Sequence, residues 1–456
     1  MISALQILRS LSIMIKLASV FGAACVAIAV GMPMAAFANT VKLDAQLGQS
    51  AVVAADGKHV YLRIALEGLA LSHDAKRAAA NVGLVIDKSG SMEDDNKIGK
   101  ARDGAAMALE RLNEDDVASV VAFNHDVDVL LPAQHVTDHG RISQIIQRLE
   151  AGGNTALYAG TEEGLRQVSK YLDRGRVNRL ILISDGLANV GPSSPQEVAA
   201  LGMKAAAKGI SITTIGLGLG YNEDLMTKLA YASDGNHAFV ERSDQLVDIF
   251  NKEFGDVLSV VAHDLIIRID CHKGFKPTRM LGHEAEIKDG VAILHLNQLY
   301  GKQQKYAVLE LDVPAGATAG DLSVAAVELS YSAMGETARI TDRSQVSVRI
   351  TPKIEDEQAS LNKAVMGDIT TQLANEVHEQ AVELRDKGQV EDAKKLLNGY
   401  ATQLDQQAAS SGVAAAAPIA EQFRADAGKL DNEADWNKNR KAMKASEHKT
   451  KTMQSY

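Results

Sequence analysis

Three short segments carry oxygen side chains at spacings suited to a hard cation: Asp87-Lys88-Ser89-Gly90-Ser91, Gly152-Gly153-Asn154-Thr155 and Ser184-Asp185-Gly186. A carboxylate and two hydroxyls at alternate positions of an extended segment turn to one side and present three hard oxygens, the donors that Mg2+ and Ca2+ select. Thr155, just ahead of a helix, and Asp185, just after an apolar strand, supply two more. Other chemistries find less support. There is no Gly-x-Ser-x-Gly elbow, and His283-Glu284 and His378-Glu379 each lack the second His of a HExxH zinc site. Gly216-Leu217-Gly218-Leu219-Gly220 departs from the spacing of a dinucleotide loop and follows a late strand. With no nucleophile beside a base, the chain is not expected to be an enzyme.

Ligands this far apart in sequence need a scaffold that gathers loop ends. From Asn81 to Leu258 short apolar runs alternate with amphipathic stretches, the signature of a parallel sheet covered by helices on both faces. The spacing predicts strands at 82–87, 117–123, 127–131, 179–184, 210–216 and 237–240, and helices at 98–112, 142–149, 156–172, 195–208, 223–232 and 244–258. Only the second and third strands are joined by a tight turn, Asn124-His125-Asp126, which makes that pair an antiparallel edge hairpin. In such a doubly wound sheet ligands sit beyond the carboxyl ends of the strands, where strand order reverses, and that is where the three segments fall.

The order Asp-x-Ser-x-Ser, then a glycine-rich Thr, then an Asp-Gly after an apolar strand resembles the metal-ion-dependent adhesion site of von Willebrand factor A domains. The resemblance implies that Ser89, Ser91 and Thr155 coordinate through hydroxyl oxygens and that Asp87 and Asp185 act largely through bound water. Such a site leaves one position open to a carboxylate from a partner protein. Mg2+ suits it, since that ion takes six oxygens and keeps waters, with Mn2+ or Ca2+ as substitutes. Glu93, Asp94, His125 and Asn189 would form the rim facing the partner. The acidic run Glu93-Asp94-Asp95 departs from the pattern: it repels an acidic partner, supplies an internal sixth ligand, or is a solvated loop. The wider pattern, with Arg77 and Asn81 ahead of the strand and Ser184 to Asn189 later, resembles bacterial proteins of the calcium-activated chloride channel-like or inter-alpha-trypsin-inhibitor-like kind. No apolar run long enough to span a bilayer follows residue 38, so the chain does not line a pore unaided.

Around this domain, at residues 77–258, the rest of the chain divides by pattern. Residues 1–38 read as a signal peptide: Arg9 and Lys16 precede an uncharged run that ends in Ala36-Phe37-Ala38, with cleavage expected after Ala38. A periplasmic or secreted location follows, with an uncleaved membrane anchor as the alternative. Residues 39–76 hold two alternating runs, too short for a core alone, which are expected to pair with the antiparallel β-sandwich predicted at 259–353. The α/β domain would then be an insertion in that sandwich. Residues 354–431 are expected to be helical, beginning with an αα-hairpin broken at Gly388, and 432–456 to be a mobile polar tail. The overall class is therefore α/β, flanked by a sandwich and a helical region. Once cleaved, the chain keeps Cys271 as its only thiol, in an alternating segment that suits a structural Cys.

The formal net charge of -10 and the 4% aromatic content give no reason to approach a phosphate backbone or stack bases, so nucleic acid is not an expected partner. The expected function is metal-dependent protein binding at the cell envelope. The alternative is an envelope scaffold acting through its helical region, with the metal only structural.

Overall fold

The computed structural model describes residues 39–53, 58–70, 77–272, 274–336 and 338–454. The signal and anchor readings of residues 1–38 and the Asp56-Gly57 loop lie outside them. The chain opens with β1 (Val41–Leu47), β2 (Ala51–Val53) and β3 (His59–Gly68). Their alternating residues bury one face, including Val41, Leu62, Ile64 and Leu66.

The chain then leaves this layer for the predicted α/β unit. Its elements are β4 (Ala80–Asp87), α1 (Lys97–Leu109), β5 (Val117–Phe123), β6 (Val127–His135), α2 (His139–Gln147), α3 (Leu157–Ser169), β7 (Val177–Ser184), α4 (Pro195–Ala206), β8 (Ile210–Leu217), α5 (Glu223–Ala232), β9 (His237–Val240) and α6 (Leu246–Val257). The sheet order is β6-β5-β4-β7-β8-β9, parallel except for the β5-β6 hairpin. Strands β4, β5, β7 and β8 are buried at every residue, which is why they read as mostly apolar runs without alternation. Helix α3 lies close on this sheet because of glycine: a Cβ on Gly164 would come within 2.3 Å of the Val85 side chain. That close seat fixes the N-terminal end of α3, just after Thr155.

Next come β10 (Val260–Cys271), β11 (Lys276–Leu281), β12 (Glu286–Lys288), β13 (Val291–Tyr300), β14 (Gln304–Asp312), β15 (Gly320–Ala333) and β16 (Arg339–Thr351). They complete two packed sheets, β1-β3-β14-β11 and β12-β13-β10-β15-β16-β2, so the early strands do join the later sandwich and the α/β unit is an insertion between β3 and β10. The sandwich core includes Leu62, Ile267, Leu309, Val327 and Val348. Burial pushes the half-buried Cys271 thiol up to about 11, in keeping with a structural role.

Arg179 on β7 ties the insertion to its host. It is fully buried, with Nη1 donating to Thr213 at 3.2 Å and Nη2 to Gln298 at 3.1 Å and the Tyr300 hydroxyl at 2.5 Å, beside Glu253. Removing one partner of a buried charge network costs far more than an exposed pair. Arg179→Ala should therefore lower stability by about 3–5 kcal/mol, read as a shift in the urea unfolding midpoint. A shift below about 1 kcal/mol would contradict this account of the seam.

The helical region runs α7 (Ile354–Ala359), α8 (Lys363–Asp386), α9 (Val390–Ser411), α10 (Ala416–Ala427) and α11 (Glu433–Thr452). The predicted hairpin is α8-α9, turned at Gly388 with φ +79°. The mobile tail expected at 432–456 is instead the docked helix α11. Polar composition misleads here because its charges are paired rather than solvated. Arg440 meets Glu223, Asp224 and Asp386 at 2.5–2.7 Å, Lys441 meets Glu223 at 2.5 Å, and Trp436 is buried. Just beyond α11, the Gln454 side chain accepts the His237 N–H at 3.0 Å, covering part of the β9 edge.

Candidate metal centre

Strand β4 ends at Asp87 and its neighbour β7 at Ser184. Here the strand order turns, with β5 on one side of β4 and β7 on the other, so the loops diverge and leave a crevice at the carboxyl edge.

Asp87 lies at the base, fully buried. Its Oδ1 accepts the Ser89 N–H at 2.8 Å and its Oδ2 the Ser184 hydroxyl at 2.5 Å. Burial raises its carboxyl to about 6, with a smaller push from the charge of Asp185, despite the opposing hydrogen bonds from Ser184 and Ser89. The Ser89 and Ser91 hydroxyl oxygens stand 3.2 Å apart, and Ser91 donates to Asp185 Oδ1 at 2.7 Å. Thr155 is reached through Gly186: a Cβ there would lie 3.1 Å from Thr155 Oγ1 and 3.5 Å from Ser91 Oγ. The absent side chain thus leaves room for the two hydroxyls to share one space with Asp185.

Backbone bonds hold the three segments together. Gly90 N–H donates to the Gly153 carbonyl at 3.0 Å, Gly152 N–H to the Lys88 carbonyl at 2.8 Å, and the Asn124 side-chain amide to the Gly152 carbonyl at 2.6 Å. Asn189, expected on the rim, is exposed but also positions a ligand candidate, since its side-chain oxygen accepts the Thr155 N–H at 2.8 Å. Glu93 and Asp94 stand exposed in the turn before α1. His125 is exposed and paired with Asp126 at 3.2 Å, and its ring lies beside Gly153.

All five oxygen-bearing residues therefore converge. The donors fit a hard divalent ion: two buried carboxylates and three hydroxyls, with no imidazole or thiolate. Among the described residues no group of three or more His, Cys, Asp or Glu could hold a metal, so a cation here depends on hydroxyls.

Two residues of the site have roles that the pattern does not assign. Ser184, the sole hydroxyl ending the apolar run Leu180-Ile181-Leu182-Ile183, carries a weak signal in that polar terminus. Lys97 carries none. Its Nζ sits 2.6 Å from Asp185 Oδ2, brought there by the left-handed pair Asp95 and Asn96, with φ +50° and +52°. Arg77 and Asn81 lie at the opposite end of β4 and do not touch the crevice. Arg77 binds Asp116 through both guanidinium ends at 2.5 and 2.9 Å, and the Asn81 amide donates to the Val168 carbonyl at 2.8 Å. Burial alone would raise the Asp116 pKa, but Arg77 and the backbone N–H groups of Ala80 and Asn113 outweigh it and hold the carboxyl below its usual range.

Residues 81–252 match the von Willebrand factor type A domain family. YfbK of Escherichia coli (strain K12) is 28% identical over 221 residues, covering 48% of this chain and 38% of that protein. Inter-alpha-trypsin inhibitor heavy chain H3 of Homo sapiens is 25% identical, covering 36% of this chain and 19% of its own length. Calcium-activated chloride channel regulator 1 of Bos taurus is 27% identical, covering 36% and 17%. The chain thus spans well under half the length of each of these relatives. A solved von Willebrand factor type A protein from Catenulispora acidiphila superposes with a TM-score of 0.68 at 15% identity, covering 88% of this chain and 93% of its own, which establishes a shared fold.

Proposed function

From the premise that residues 81–252 are a von Willebrand factor type A domain, we propose that this protein binds a partner protein through a divalent cation at the carboxyl edge of its inserted sheet. The supporting observation is the convergence of Asp87, Ser89, Ser91, Thr155 and Asp185, from three loops, around two buried carboxylates. Mg2+ is the ion favoured, held by these five residues, with Mn2+ or Ca2+ as substitutes. When bound, it supplies an electrophilic vertex for a carboxylate side chain of the partner.

The chain's own residues do the rest. The Asp87 and Asp185 carboxylates give the pocket its attraction for a cation, while hydroxyl donors leave the ion undercompensated. Asn189 and Asn124 fix the loop that bears Thr155. Glu93, Asp94 and His125 line the approach and select the partner. The N-terminal segment directs the protein out of the cytoplasm, to the periplasm or beyond.

In crosslinking and pull-down from intact cells with the full chain as bait, partner recovery is expected in Mg2+ and to be lost on chelation, or in Asp87→Ala and Thr155→Ala proteins. Full recovery by both variants in Mg2+ would end this reading. Deleting residues 355–456 cannot separate it from a scaffold role of the helices, because α11 packs against α5 and β9 of the inserted domain. Point variants keep that packing and are the cleaner comparison.

A further inference from the structure

Every carboxylate oxygen of the centre already has a donor from the chain. Asp87 takes the Ser89 N–H and the Ser184 hydroxyl. Asp185 takes the Ser91 hydroxyl on Oδ1 and the Lys97 ammonium on Oδ2, at 2.7 and 2.6 Å. Lys97 is the first residue of α1, and its side chain is only 15% exposed. Nζ also reaches the Ser91 carbonyl at 3.3 Å, and its stem runs under the glycine loop, 3.4 Å from the place a Cβ of Gly218 would occupy. The neighbouring Gly220 would meet the Asp185 carbonyl at 2.8 Å if it carried a Cβ. The ammonium is therefore held at Asp185 by the fold, not placed there by a mobile surface side chain.

We propose that Lys97 is a built-in competitor for the cation, an affinity-setting residue whose ammonium neutralises Asp185 in the metal-free protein. This rests on the metal-binding reading above. Cation entry must share or displace the Lys97 contact and turn the Ser91 hydroxyl away from Asp185. A fixed positive charge at hydrogen-bond distance from a ligand carboxylate repels the entering ion and shares its counter-charge. The centre would thus hold its cation weakly and keep its structure without one.

The test is Mn2+ titration calorimetry on the full chain, comparing wild type with Lys97→Met, Lys97→Gln and Lys97→Arg. Glutamine keeps a donor toward Asp185 without the charge, and arginine keeps the charge. Loss of the charge should tighten Mn2+ binding about tenfold or more, in whichever of Lys97→Met and Lys97→Gln folds by thermal unfolding, while Lys97→Arg stays near wild type. Mn2+ should also raise the unfolding temperature of the neutral variants more than that of wild type. Uptake by the neutral variants with none by wild type would support the proposal. Wild-type uptake with equal or weaker binding in the neutral variants overturns it and leaves the metal reading standing. No uptake by any of the four proteins overturns both.

Discussion

The Asp185→Ala protein is expected to bind Mn2+ about 10–100-fold more weakly than wild type, the range seen when an oriented acidic partner of a metal site is removed. Asp185 is almost wholly buried at the rim of β7, and it is the carboxylate on which the Ser91 hydroxyl and the Lys97 ammonium converge. Its removal subtracts a negative charge from the cation's position and leaves the ammonium unopposed beside it. Both effects act in the same direction. Thr155→Ala should lose less, because it deletes one neutral donor and leaves the Thr155 N–H bond to Asn189 and the charges unchanged. Titration calorimetry on proteins that retain a cooperative thermal transition checks both. Wild-type affinity in Asp185→Ala would remove that carboxylate from the centre, whatever the other variants do.

Acidification from pH 7 to pH 4 should destabilise the protein by at least about 3 kcal/mol, and the seam around α11 should loosen first. His237 on β9 and His448 on α11 are buried with rings 6.0 Å apart, and His283 has its Nε2 closed off from solvent. Burial pushes His283 and His448 down to about 4 and His237 well below its ordinary value. The surroundings offer a proton little help. His237 faces Thr214, Tyr221, His448 and Lys441, while His448 donates to the Gly235 carbonyl near Asp234, Lys305 and Lys451, and Asp234, Lys305 and Lys451 also lie near His283. A histidine whose folded pKa lies below its unfolded value binds fewer protons folded than unfolded between the two. Stability is thus full above about 6.5 and is lost as the pH falls toward 4, roughly 3 kcal/mol each for His283 and His448. Asp87 works the other way: with its carboxyl raised to about 6, it regains roughly 3 kcal/mol over the range where it protonates. Burial likewise raises Glu447 and Asp368, while Asp116 and Asp426, held below the usual carboxylate range by their partners, add to the loss. Urea midpoints measured from pH 7 to 4 should fall, His448→Gln should flatten the profile, and hydrogen exchange should rise first in α11. A flat profile in wild type would contradict the burial of these rings.

Much of the inserted domain was legible because its physics is local and periodic. Fully buried parallel strands are mostly apolar, with polar residues only where a partner meets them, so β4, β5, β7 and β8 stand out in the pattern, and the short 124–126 turn marks the one antiparallel pair. Helix ends moved by a few residues: the first helix ends at Leu109 rather than residue 112, and the third begins at Leu157 rather than 156. The third strand runs on to His135 rather than stopping at 131, since an edge strand tolerates the polar residues that ended the pattern. The last helix was missed for the opposite reason. Beside Trp436 and Met443 its buried face carries paired charges, and a pairing between Arg440 and Glu223 or Asp224, more than two hundred positions apart, leaves no trace in local composition.

Local pattern was enough for the order of strands and helices in the inserted domain and for the identity of the five oxygen-bearing residues, because strand period and oxygen-donor chemistry are written in neighbouring side chains. Which charges meet was settled by the folded chain. Asn189 became a brace for Thr155, Ser184 a partner of Asp87, and Lys97 the counter-charge of Asp185, through contacts that exist only once separate loops close on one crevice. Electrostatic partnership depends on distance in space, and a linear chain records distance only along itself.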